Sequence, residues 1–296
     1  MSVQRILRMV ATMLLAYPGI AAPAIIGVQF DGDVVSINEA AGVGLAVGPS
    51  GTNGLNSLAA DTSGTLFSAT NVLGAGGQLF TINPASGVGT PGAVLGFGAA
   101  VAADVRGLAF SAANVLFAIN NTGPAGGLNP DDLFTINVAA GAGALIGATG
   151  LIDLQGLDFA PDGTLYGWDI SVGLVTINPA NGAATDVNPA VGAPADIQSI
   201  VFGPDGTLYG ARNELFTINT ATGVTALVGS GGYADVRGIE FVSNGVPEPA
   251  TLALLGIGLA GLALARRRKN CPPGEYVLRA AGRAAAGVIS SAVVQT

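Results

Sequence analysis

Four times in the chain an aspartate stands two residues before an arginine or a glutamine. The copies are Asp104-Val105-Arg106, Asp153-Leu154-Gln155, Asp196-Ile197-Gln198 and Asp235-Val236-Arg237, with Gly54-Leu55-Asn56 as a degenerate fifth. On a β-strand, residues two apart share a face, so each carboxylate stands beside a guanidinium or an amide. A collar of such groups could chelate a cation such as Ca²⁺, or hold a hydroxyl-rich ligand by charge-assisted hydrogen bonds. Recurrence in nearly every copy favours a plainer role, in which each Asp caps the turn into its strand and pairs with the Arg or amide of a neighbouring copy. Asp158 and Glu240 differ, because they occupy the position that Ala59, Ala109 and Val201 fill in the other copies. A carboxylate replacing a small apolar residue is costly unless it is paired, hydrated or metal-bound. These two are the candidates for a nonrepeating site, with channel hydration as the simpler alternative. Asp153, Asp158, Asp196 and Glu240 are the residues available to a metal, and no resident cofactor other than Ca²⁺ is suggested.

What is missing removes most other chemistry. The chain has no His and a single Cys, Cys271, which excludes Ser-His-Asp and Cys-His catalysis, His-ligated metals, CxxC redox chemistry and intramolecular disulfides. Between Ile25 and Val246 there are 17 acidic residues and three basic ones (Arg106, Arg212 and Arg237), a net charge of −14 that rules against nucleic acid as a partner. Asp31-Gly32-Asp33 and Asn129-Pro130-Asp131-Asp132 lack the alternating ligands of a calcium loop and read as hairpin turns. Trp168 alone breaks the repeated aromatic pattern and could stack on a sugar ring.

The elements that must position these groups recur with them. The phrase VVSIN ends at Asn38, LFTIN at Asn83, LFTIN at Asn137, LVTIN at Asn178 and LFTIN at Asn219. Spacings of 45, 54, 41 and 41, with four short strand signals per unit and no sustained 3.6-residue apolar period, predict a β-propeller. In the last full unit these signals are ADIQSIVF, TLYGA, ELFTIN and TGVTALVG, separated by turns such as GPDG. The array opens at IIGVQ, equivalent to a second strand, and ends at VRGIEF, equivalent to a first. The last strand can therefore complete the first blade and remove the open sheet edges. The fold class is all-β, a five-bladed β-propeller over residues 25–242. The PDGTLYG phrases at residues 161–167 and 204–210, together with LFTIN, resemble NHL-type exported propellers and an uncharacterised bacterial family with LFTINPATG repeats. That resemblance implies architecture and is silent on activity.

The two ends read as address labels. Residues 1–24 carry Arg5 and Arg8, an apolar run, and Ala22-Pro23-Ala24, the pattern of a signal peptide cut by signal peptidase. Near the other end Val246-Pro247-Glu248-Pro249 precedes sixteen mostly apolar residues, 250–265, that would rise about 24 Å as a single transmembrane helix. Arg266, Arg267, Arg268 and Lys269 follow and should stay cytoplasmic. Residues 246–269 of this segment, 243–269, resemble the PEP-CTERM sorting signal of Gram-negative bacteria. The resemblance implies exosortase as partner, a transient inner-membrane anchor, and a final place in the periplasm, on the surface or outside the cell, usually in makers of exopolysaccharide. Residues 270–296 are an atypical tail, disordered or weakly helical. Together these readings point to an exported, noncatalytic, monomeric propeller binding a saccharide, polymer or envelope partner. A metal-dependent lactonase or lyase and a purely structural surface protein remain as alternatives.

Overall fold

The computed structural model describes residues 24–71, 77–98, 104–121 and 131–242, so the leader, the sorting segment and the tail lie outside the described residues. Every regular element among the described residues is a β-strand. Three strands come first: β1 (Ala24–Gln29), β2 (Asp33–Ile37) and β3 (Gly44–Pro49). Blade 1 consists of β4 (Ala59–Ala60), β5 (Leu66–Ala69), β6 (Gln78–Ile82) and β7 (Gly89–Val94). Blade 2 consists of β8 (Val105–Phe110), β9 (Leu116–Asn121), β10 (Asp131–Ile136) and β11 (Gly143–Ala148). Blade 3 consists of β12 (Leu154–Phe159), β13 (Leu165–Asp169), β14 (Gly173–Ile177) and β15 (Ala184–Asp186). Blade 4 consists of β16 (Ser199–Phe202), β17 (Leu208–Ala211), β18 (Glu214–Ile218) and β19 (Thr225–Ser230). Finally β20 (Val236–Val242) pairs antiparallel with β1 and gives blade 5 the order β20-β1-β2-β3.

The ring closes through this last pairing. Ala24 lies opposite Val242, Ile25 opposite Phe241 and Gly27 opposite Ile239. Ile25, Ile26, Val28 and Val236 are fully buried there, so closure is secured by apolar burial as well as by backbone hydrogen bonds. Strand β1 begins at Ala24, the residue that the sequence reading gave to the leader. The inner strands β4, β8, β12, β16 and β20 each touch the next around the axis. Buried apolar side chains fall into five clusters, one at each blade junction, because each sheet packs its face on the next instead of on a common centre.

Two devices repeat at these junctions. Toward the Pro-Asp-Gly end, an aromatic residue early in the second strand meets the Phe that ends the next blade's inner strand. The pairs are Phe67 with Phe110, Phe117 with Phe159, Tyr166 with Phe202 and Tyr209 with Phe241, with ring centroids 5.3–5.6 Å apart. At the rim, the glycine that closes four of the five Asn-x-x-x-Gly turns (Gly42, Gly87, Gly141 and Gly182) lies against the preceding blade's outer strand. At Gly182, with φ +81°, a Cβ would stand 2.4 Å from the Gly147 carbonyl oxygen, and Gly87 repeats this against Gly48. Only glycine combines that backbone conformation with so close an approach.

Candidate functional site

All inner strands run from one mouth of the ring toward the Pro-Asp-Gly turns. The Asp-x-Arg/Gln motifs therefore gather at a single face, where the second strands also end. There a polar residue at the end of the second strand caps the entry of its blade's inner strand: Asp104 N–H donates to Asn120 Oδ1 at 2.7 Å, Asp153 N–H to Asp169 Oδ2 at 3.3 Å, and Ala234 N–H to Gln29 Oε1 at 2.7 Å. In blade 4 that place belongs to Arg212. Its guanidinium meets Asp196 at 2.6 Å and Asp235 at 3.1 Å. Arg237 grips Asp235 through Nε at 2.8 Å and Nη2 at 3.2 Å, donates Nη1 to Gln198 Oε1 at 3.2 Å, and lies 5.1 Å over the ring of Phe30. Asp235 holds a left-handed backbone, φ +49°, with its N–H on Asn213 Oδ1 at 2.8 Å. Burial alone would raise the pKa of Asp235, but its bonds to Arg237 and Arg212 hold it below the ordinary value. Burial likewise works against the charge on Arg212, and the bonds to Asp235 and Asp196 outweigh it and raise that pKa.

The opposite side of the collar is less balanced. Arg106 binds Asp104 at 3.1 Å and reaches Asp153 only at 3.5 Å, while Asn71 donates to the other oxygen of Asp104. Behind them sits Asp131, read from the sequence as part of a hairpin turn but in fact the first residue of β10. It is fully buried, and its Oδ2 accepts the Leu154 N–H at 2.7 Å, locking blade 2 to the entry of β12. Its Oδ1 has no hydrogen-bond partner. Burial pushes this carboxyl up to about 7; the Leu154 bond and the charge of Arg106 work in the other direction, and Asp153 and Asp169 add to the rise. Gln155 is buried beside this region.

Asp158 and Glu240 are not part of the collar. They sit further along the inner strands, enclosed by the blades and partly open to the channel. Each plays the same part. Asp158 accepts N–H groups from Phe159 at 2.8 Å and from Phe202 of the next blade at 2.6 Å. Glu240 accepts N–H groups from Phe241 at 2.9 Å and from Ala60 of the next blade at 3.0 Å. Phe202 and Ala60 are equivalent repeat positions, so both carboxylates cap the same exposed inner edge, and all four oxygens accept a backbone donor. Desolvation raises both pKa values, Asp158 to about 7, and the negative charge of Asp158 raises Glu240 further.

Trp168, the candidate for sugar stacking, is fully buried among Leu174, Ile197 and Ile200 and belongs to the core. Among the described residues, no group of three acidic side chains converges closely enough to hold a metal by itself. On the face opposite the collar, a shallow cavity of about 410 Å³ lies between blades 1 and 2, lined by Phe67, Phe110, Asp61 and Asn114. Sequence reasoning missed Arg212, Asn120, Asp169 and Gln29. Their signal was present: the second-strand phrases IIGVQ, LFSAT, LFAIN, LYGWD and LYGAR all carry a polar residue at their fifth position.

Beyond the closing strand the comparison is decisive. Residues 245–269 match the PEP-CTERM protein-sorting motif. The matched segment contains Val246, Pro247, Glu248 and Pro249 and extends through Arg266, Arg267, Arg268 and Lys269, all outside the described residues. The motif implies exosortase-dependent export and sorting to the cell envelope or the extracellular space. No curated protein matches the chain in sequence. Among solved structures it is similar to a symmetrical protein studied for its de novo evolutionary emergence, with TM-score 0.51 and 19% identity over 77% of this chain and 100% of that one. It is also similar to a chain of the nidogen/laminin complex, with TM-score 0.52 and 12% identity over 75% and 98%. A gluconolactonase from Xanthomonas campestris shows TM-score 0.39 and 14% identity over 63% and 67%. For the first two, at these identities, the likeness is one of fold alone.

Proposed function

We propose that the chain is a noncatalytic propeller, delivered by exosortase to the envelope or extracellular matrix, that binds a saccharide, polymer or protein partner through its collar face. The observation that carries this reading is the sorting motif, which begins within three residues of the strand that closes the ring. The collar face holds all three arginines of the propeller and four carboxylates, Asp104, Asp153, Asp196 and Asp235, partly exposed and fixed by mutual ion pairs. Fixed donors and acceptors suit a hydroxyl-rich or polar partner, since little side-chain entropy is lost on binding. The opposite face consists mainly of short turns. Binding is favoured over hydrolysis because Asp158 and Glu240 give every oxygen to the backbone, which leaves neither poised as a base with a partner nucleophile.

An array of defined envelope and matrix glycans tests this, probed with the wild type and with Arg106→Glu plus Arg237→Glu. Wild-type binding that is lost in the double variant while the protein stays folded supports the proposal. Absence of wild-type binding, or turnover of simple lactones by the purified protein, opposes it.

A further inference from the structure

We propose that the junction of blades 2 and 3 binds a divalent cation of the calcium type, held at the buried, unpartnered Oδ1 of Asp131. Two independent observations converge on this corner. The first is an imbalance of charge between the two sides of the collar. Where blades 4 and 5 meet, Arg212 and Arg237 are ion-paired with Asp196 and Asp235, two guanidinium groups to two carboxylates. Where blades 2 and 3 meet, Arg106 alone stands among Asp104, Asp131, Asp153 and Asp169, and it already bridges two of them. The second is the orphaned oxygen. Asp131 is wholly excluded from solvent, yet only one of its carboxylate oxygens has a donor. A buried carboxylate oxygen without a partner is costly.

The remaining groups of the corner are already engaged. Asp169 directs Oδ1 to the Ser171 and Val172 N–H groups and Oδ2 to Asp153 N–H. The Asp131 backbone is bound as well, its N–H to Leu151 O at 2.6 Å and its carbonyl to Thr149 Oγ1 at 2.7 Å. The Leu154 N–H bond holds the Asp131 carboxylate, and Oδ1 cannot turn to another donor without giving it up. Since no three carboxylates form a ready chelate, the ion would take Asp131 as its anchor and complete its shell with water and carbonyl oxygens. Hard cations with six to eight oxygen ligands accept such a shell. The chemistry required is a small positive charge preferring oxygen, and Ca²⁺ is the probe to use. The corner adjoins the collar face, but calcium is counted with no partner present, so the site can fail while sorting and partner binding both stand.

The test uses the full chain in detergent, stripped with EDTA and dialysed at neutral pH. Thermal unfolding is followed in about 5 mM CaCl₂ against NaCl of equal ionic strength, so that screening alone is controlled, and bound calcium is counted by equilibrium dialysis. The expected result is about one calcium per chain and a saturable rise in melting temperature of several degrees. Asp131→Asn should abolish both, and Asp196→Asn, on the balanced side of the collar, should leave both intact. If Asp131→Asn does not fold, Asp153→Asn should weaken calcium binding at least several-fold. No bound calcium with an unchanged melt would mean that only water occupies the corner. That result, an equal rise in NaCl, or calcium binding untouched by the variant that folds would each overturn the proposal.

Discussion

Asp158 and Glu240 show what a residue out of pattern can mean. From the sequence, two carboxylates in an alanine or valine position suggested a site; in the structure each closes the same gap, the inner-strand N–H of the next blade. Their chemistry has a consequence for stability. Both pKa values are raised in the folded state, so the fold favours the protonated forms. Between the unfolded carboxylate range near 4 and the folded value near 7 for Asp158, the folded chain binds more protons than the unfolded chain, and stability falls as pH rises. We expect the melting temperature in EDTA to drop by several degrees from about pH 5 to about pH 7.5, with Asp158→Asn plus Glu240→Gln reducing that slope and Asp131, also raised to about 7, supplying the remainder. A melting temperature that rises across this window would show that the pair is not held in desolvated surroundings. Arg212 marks the limit of sequence reading at this scale. The Asp-x-Arg pattern pointed to Arg106 and Arg237, but Arg212 reaches the collar from a different strand, and a motif written along one strand cannot reveal a partner set by the blade twist.

At the scale of elements, the phrase ending in Asn and closed by Gly does two jobs. Asn137 and Asn219 each use their side-chain oxygen to accept two backbone N–H groups of the turn that follows, and the closing glycine lies on the neighbouring blade. Gly182→Ala should therefore cost about 2 kcal/mol or more, since strain at a positive φ adds to a backbone clash with Gly147. Gly163→Ala is the control. It shares a positive φ, +89°, but a Cβ there meets nothing within 4 Å, so its cost should stay near 1 kcal/mol. Denaturant midpoints compare the two, and equal losses would mean that the rim contact contributes nothing. Gly223 departs from the pattern because its neighbour in blade 3 has the short outer strand β15, and a Cβ there would meet only the Leu174 side chain at 3.8 Å. The strand content and the blade order were legible in the sequence because turn signals and apolar alternation repeat with a fixed phase. The rim contact was not legible, since a glycine required by its own turn looks the same as one required by another blade. The hairpin reading of Asp131 failed for a related reason: Asn-Pro-Asp-Asp has turn composition, but packing against β12 draws its second half into a strand.

The whole molecule joins a ring closed on itself to a sorting motif that starts shortly after the closing strand. Closure by β20 leaves every blade with four strands, so no sheet lacks a member when the segment beyond Val242 is removed. The account's central claim is that this ring is the cargo and the motif its address. The most direct measurement is the intact mass of the protein recovered from otherwise identical cells with and without an exosortase. The account predicts that, with the enzyme, the chain ends at or beside Pro247-Glu248-Pro249, leaves the membrane fraction and keeps the same thermal melt. Without the enzyme it should retain residues 250–296 and stay in the membrane. An identical mass and an identical location in both hosts would contradict it.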